Sequence, residues 1–101
     1  MIDINIDELH EKLNNKEEVI VIDVREVHEY EEYNIGAKNI PLGTLPNVME
    51  DLVEDYKDHE VVVHCRSGGR SGVAKELLIK AGIPKTRNLL GGMLAWQEKY
   101  G

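Results

Sequence analysis

VVVHCRSGGRSGVAKELLIKA, residues Val61 to Ala81, changes character twice. Val61, Val62 and Val63 form a β-branched apolar run, the pattern of a buried strand. A glycine-bearing loop from Cys65 to Ser71 follows, then a helical pattern with Val73, Ala74, Leu77, Leu78 and Ala81 expected on one face. This order puts the chain's single cysteine at a strand end, facing the start of a helix. The first N–H groups of a helix have no partner within it, and the helix dipole adds about half a positive charge there. Gly68 and Gly69 let the backbone curl with N–H groups inward, and Arg66 and Arg70 add full charges. No Asp or Glu occurs from Val61 to Lys75, although the chain carries a formal net charge of −7. The stretch is a local positive site, suited to a small anion or to a thiolate.

Cys65 fits the second role. A free thiol, with a pKa of about 8.5, is mostly protonated at neutral pH, and a helix N-terminus with nearby cations lowers that value. A drop of about two units favours the thiolate by ~2.7 kcal/mol. Cys65 is therefore the candidate nucleophile, with Arg66, Ser67, Gly68, Gly69, Arg70 and Ser71 as candidate substrate-binding residues. The competing reading is a small hydrophobe buried at a strand end, the usual role of a lone cysteine. Two glycines, two arginines and a helix start in succession favour the nucleophile. His64 precedes Cys65 on a strand, so its side chain is expected on the opposite face, away from the chemistry.

Cys65-Arg66-Ser67-Gly68-Gly69-Arg70-Ser71 resembles the active-site loop of single-domain rhodanese sulfurtransferases, the rhodanese homology domain family. Two flanking blocks agree. One is Ile22-Asp23-Val24-Arg25-Glu26 with Glu29-Tyr30 and, further on, Gly36-Ala37-Lys38-Asn39-Ile40-Pro41-Leu42; the other is Asn88-Leu89-Leu90-Gly91-Gly92-Met93-Leu94-Ala95-Trp96. The blocks stand in the family's order and span most of the chain. One departure is that Asn34-Ile35-Gly36-Ala37 lacks the family's usual His and is one residue shorter, which concerns a surface loop and not the catalytic one. The resemblance implies a thiosulfate sulfurtransferase. In such an enzyme Cys65 takes a sulfane sulfur from a small anionic donor as a persulfide and hands it to cyanide, a thiol or a protein acceptor, with no cofactor.

Two other readings belong beside it. A slow or non-catalytic sulfur carrier or regulatory interaction module would use the same fold, with an acidic face at Glu26 to Glu32 or Glu50 to Asp58 as its docking surface. A cysteine phosphatase or arsenate reductase would place five residues between His-Cys and Arg-Ser. Here only four separate Cys65 from Arg70; the resemblance implies the shorter loop of the family, which closes around the sulfur carried on a cysteine, where the longer one wraps a tetrahedral oxyanion.

The rest of the chain reads as a frame for this loop. Asn5 with Glu8 three residues on is a helix cap, and Ile6, Leu9 and Leu13 form that helix's stripe. Val19 to Val24 is a near-continuous apolar run, the mark of a strand covered on both faces, and should be central. Asp23 and Arg25 at its end read as a structural ion pair. Glu26 to Glu32 reads as a short helix with Val27 and Tyr30 inward. A brief strand at Lys38 to Pro41 precedes a helix burying Val48, Met49, Leu52, Val53 and Tyr56; Arg87 to Leu89 gives a last strand and Met93 to Tyr100 a closing helix with Trp96 inward. Strands alternating with helices imply an α/β fold: a single domain over residues 1–101, core about 16–100, with a central parallel sheet of about five short strands and helices on both faces.

Composition is that of a globular domain, 42% hydrophobic and 31% charged. The negative charge argues against nucleic acid or an anionic membrane as partner. No apolar run approaches the ~20 residues of a membrane span. The histidines His10, His28, His59 and His64 show no metal-ligand spacing with Cys65, so no metal is expected. One cysteine and an N-terminus without a basic or apolar leader lead us to expect a cytoplasmic protein.

Overall fold

The valine run becomes β3 (Val61–His64), buried along its whole length, with β1 (Ile20–Asp23) parallel to it on one side and β4 (Thr86–Asn88) on the other. The structure is a computed structural model describing residues 2–101. A short strand β2 (Lys38–Asn39) pairs parallel with β1, giving the order β2-β1-β3-β4. Four strands form the sheet rather than about five. Where a fifth would lie beside β4 there is a single parallel bridge from Ile4 to Leu89, because Asn5 caps the first helix and ends the extended backbone.

Parallel strands need crossovers, which two helices supply on one face, while the first and last helices cover the other. Helices α3 (Leu45–Tyr56) and α4 (Gly69–Ala81) cover one face, where Leu45, Leu52, Ala74 and Leu78 pack with Ile22, Val61 and Val63. Helices α1 (Ile6–Asn14) and α5 (Gly92–Tyr100) cover the other, where Leu9, Met93 and Trp96 pack with Val62 and Leu89. The Asn5 side chain accepts from the Glu8 N–H at 2.8 Å, as its spacing predicts. The α3 stripe Val48, Met49, Leu52, Val53 and Tyr56 packs inward as read.

Two helical faces differ from the sequence reading. On α4, Val73, Leu77 and Ala81 are exposed, and the inward residues are Ser71, Ala74 and Leu78. The helix begins at Gly69, so Arg70 and Ser71 lie in its first turn rather than in a loop. Turning Ser71 toward the sulfur fixes the helix phase, and positions three and seven residues on follow it inward. On α2 (Val27–Glu32), Val27 is exposed while Tyr30 is half-buried, its hydroxyl donating to the Ala37 carbonyl at 2.6 Å. Hydrogen bonding, not apolar burial, orients this short helix.

The strand order reverses between β1 and β3: β2 lies to one side of β1, β3 and β4 to the other. Open parallel sheets bind ligands at the carboxyl ends of strands around such a switch point. Cys65 follows β3 there, and the register of Asp23 with His64 sets Val24 beside it, with Arg25 the next residue along the β1 end.

Candidate active site

Cys65 is 1% exposed, and its sulfur is the focus of a set of donors. The Gly68 N–H donates to Sγ at 3.1 Å and the Ser71 N–H at 3.4 Å, while the Ser71 Oγ lies 3.3 Å away. Burial pushes the thiol up; the hydrogen bonds that Ser71, Gly68 and Ser67 bring to the sulfur outweigh it and hold the thiol below its ordinary value. Of the two loop glycines only Gly68 is left-handed, with φ +114; Gly69 is an ordinary helical residue with open space around it.

The donors face the sulfur because the carbonyls are held elsewhere. The Cys65 and Arg66 carbonyls accept from the N–H groups of Met93 and Leu94, both at 3.0 Å. These N–H groups are in the first turn of α5 and have no partner inside it, so the loop satisfies the helix while the helix orients the loop. The approach is close enough that a Cβ on Gly92 would sit 2.6 Å from both carbonyl oxygens. The Asn88-to-Trp96 block is thus a wall of the site.

The two arginines part company. Both Arg70 guanidinium ends are taken by the Glu29 carboxylate, at 2.7 and 2.9 Å, and the pairing pulls Glu29 down to about 2. Arg66 is exposed and makes no ion pair among the described residues. It lines a cleft of about 460 Å³ with Arg25, His28, Glu29, Glu32, Tyr33, Met93 and Gln97. Arg25 is buried and donates to Asp23 through Nη2 at 2.7 Å and to the Tyr33 carbonyl at 2.7 Å, the structural ion pair expected. His64 is fully buried and keeps neither ring nitrogen hydrogen-bonded; burial lowers it to about 4, so it is neutral at pH 7. It is two residues on from Val62 and shares that residue's α1–α5 face, whereas Val61, Val63 and Cys65 lie on the other, so it points away from the cysteine side.

Glu29, Asn88 and Gly92 are site residues that reading the sequence did not single out. Asn88 receives the Ser71 hydroxyl hydrogen bond at 2.6 Å and donates through Nδ2 to the Gly68 carbonyl at 3.2 Å. No group of three metal-ligating side chains occurs among the described residues, and no helix there is long and apolar enough to cross a membrane.

A four-stranded parallel sheet that presents a cysteine in a ring of backbone donors, at a helix N-terminus, defines the class: an α/β domain with a cysteine loop at the end of a central strand. The profile of the rhodanese-like domain matches residues 5–99, and the chain belongs to that family. A sulfurtransferase of Allochromatium vinosum is 34% identical over 95 residues, covering 93% of this chain and 86% of that protein. Bacillus subtilis YrkF is 34% identical over 98 residues, but the chain spans only about half of its length, 51%. Among solved structures, a rhodanese-like domain protein from Staphylococcus aureus superposes with a TM-score of 0.81 at 36% identity, covering 95% of this chain and 91% of that one.

Proposed function

We propose that this protein is a sulfurtransferase that carries a sulfane sulfur on Cys65. The observation that carries the reading is the Cys65 sulfur facing the N–H groups of Gly68 and Ser71, with the neighbouring carbonyls turned away onto α5. In the first half-reaction the Cys65 thiolate attacks the outer sulfur of thiosulfate or a similar anionic donor. A Cys65 S–S bond forms, the donor's S–S bond breaks, and its electron pair leaves with sulfite. In the second, a thiolate or cyanide attacks the outer sulfur, giving a new persulfide or thiocyanate and returning the Cys65 thiolate. Donors preorganised around a charge that persists in both states stabilise it without reorganising.

Arg66, unpaired on the cleft wall, docks the donor's anionic oxygens. Arg70 raises the local positive potential, and its charge and that of Cys65 favour each other, but Glu29 holds its guanidinium. The Allochromatium relative bears the name sulfurtransferase, and YrkF is named for sulfur carriage, so a carrier with a protein acceptor is the second reading. Sulfite release from thiosulfate in the presence of cyanide tests the first. Cys65→Ser should abolish it while leaving the unfolding transition in place; turnover retained in that variant would refute the mechanism.

A further inference from the structure

The proton on the Ser71 hydroxyl decides what that group does for Cys65. A serine has one O–H to give and lone pairs with which to accept. Ser71 Oγ lies 2.6 Å from Asn88 Oδ1 and 3.3 Å from Cys65 Sγ. The Asn88 amide is not free to turn, because its Nδ2 faces the Gly68 carbonyl at 3.2 Å, an acceptor that only an N–H can satisfy. Oδ1 therefore faces Ser71, and an amide oxygen can only accept. The hydroxyl proton points at Asn88, leaving a lone pair toward the sulfur. In that arrangement Ser71 accepts from a protonated thiol and gives nothing to a thiolate.

We propose that Asn88 is a positioning residue that restrains Cys65 from ionising by holding the Ser71 proton away from it. When the thiol loses its proton, the hydroxyl gains by rotating toward the sulfur, but must then abandon a short bond and leave a buried Oδ1 unpaired, since Ser71 is fully buried and Asn88 is 8% exposed. The N–H groups of Ser71, Gly68 and Ser67 then carry the anion without the hydroxyl. The other charges around the sulfur are Arg66 in the loop, Arg70 on α4 with Glu29 from α2, and the Asp3–Lys75 pair behind Asn88, where Asp3 accepts from the Asn88 N–H at 3.0 Å. His64 lies on the opposite side of β3. The substitutions below leave all of these groups in place.

The test is the pH profile of Cys65 alkylation by iodoacetamide, which reads thiolate formation and does not need sulfur transfer; the inference's consequence for turnover rests on Cys65 being the nucleophile, but its measurement does not. Asn88→Ala frees the hydroxyl to donate to the thiolate, and the apparent pKa should fall by about half to one unit. In the Ser71→Ala background the same substitution should produce no fall, because no proton is left to redirect. A pKa that rises or stays unchanged in Asn88→Ala, or that falls equally in both backgrounds, overturns the proposal. If Asn88→Ala does not fold, Ser71→Ala alone decides. A shift within a few tenths of a unit agrees with a hydroxyl that gives the thiolate nothing; a rise of about one unit contradicts it.

Discussion

Gly92→Ala tests the link between α5 and the cysteine loop. At φ +54 the position is left-handed, which costs an L-residue about 1–2 kcal/mol. The added Cβ would meet the Cys65 and Arg66 carbonyl oxygens at 2.6 Å, backbone atoms with no flexible end to swing aside. Relief needs a shift of roughly half an ångström or more, enough to weaken the bonds from Met93 N–H and Leu94 N–H, each worth about 1 kcal/mol. The sum is about 3–4 kcal/mol of stability, a large part of what a domain this size has. The loop carbonyls would also be released, and with them the direction of the N–H groups at the sulfur, so the alkylation pKa of Cys65 should rise. Gly69→Ala is the control: a helical glycine with nothing within 4 Å should accept a methyl with unchanged or slightly raised stability. Urea unfolding of both variants, with the alkylation profile beside it, gives the answer. Gly92→Ala with wild-type stability and an unshifted pKa would refute the claim that α5 sets the loop.

Three more outcomes follow from the same structure. His64 is held neutral in the fold, near 4, against an ordinary 6.5; the unfolded chain binds the proton first, so stability is full above about pH 6.5 and falls by about 3 kcal/mol on acidifying to pH 4. His64→Leu, which removes two unpartnered ring nitrogens, should cost little at pH 7 and flatten that part of the pH–stability curve; an unchanged slope would contradict the burial argument. Glu29 stands at about 2 against 4.5, so its pairing supports the fold above about pH 4.5 and is lost as pH falls toward 2; with Arg70 partly exposed the contribution is about 1 kcal/mol, and Glu29→Gln should remove it in acid unfolding curves. Arg66→Ala should raise KM for thiosulfate about tenfold with kcat little changed, since Arg66 meets the donor before the chemistry; an effect confined to kcat would place it elsewhere.

Much of the fold was legible because its signals are local. The Val19-to-Val24 run and the Val61-to-Val63 run have no polar alternation, and both became central strands. Asn5 three residues before Glu8 became the cap of α1. What could not be read depended on contacts distant in sequence. Val27, Val73 and Leu77 fit inward stripes by spacing, yet side-chain bonds of Glu29, Tyr30 and Ser71 set the helix phases instead. The cysteine and its loop were evident from one stretch, whereas the roles of the two arginines were not: Arg70 meets a carboxylate 41 positions away, and nothing near it announces that partner. Asn88 reads as one more strand residue until Ser71 is placed beside it.

The central claim is that Cys65 carries sulfur, and intact mass spectrometry tests it most directly. The protein is incubated with thiosulfate, weighed, treated with a reducing thiol and weighed again, alongside Cys65→Ser. A gain of one sulfur atom, reversed by the thiol and absent from the variant, is the predicted result. No gain in the wild-type protein, with Cys65 still open to alkylation, would contradict it.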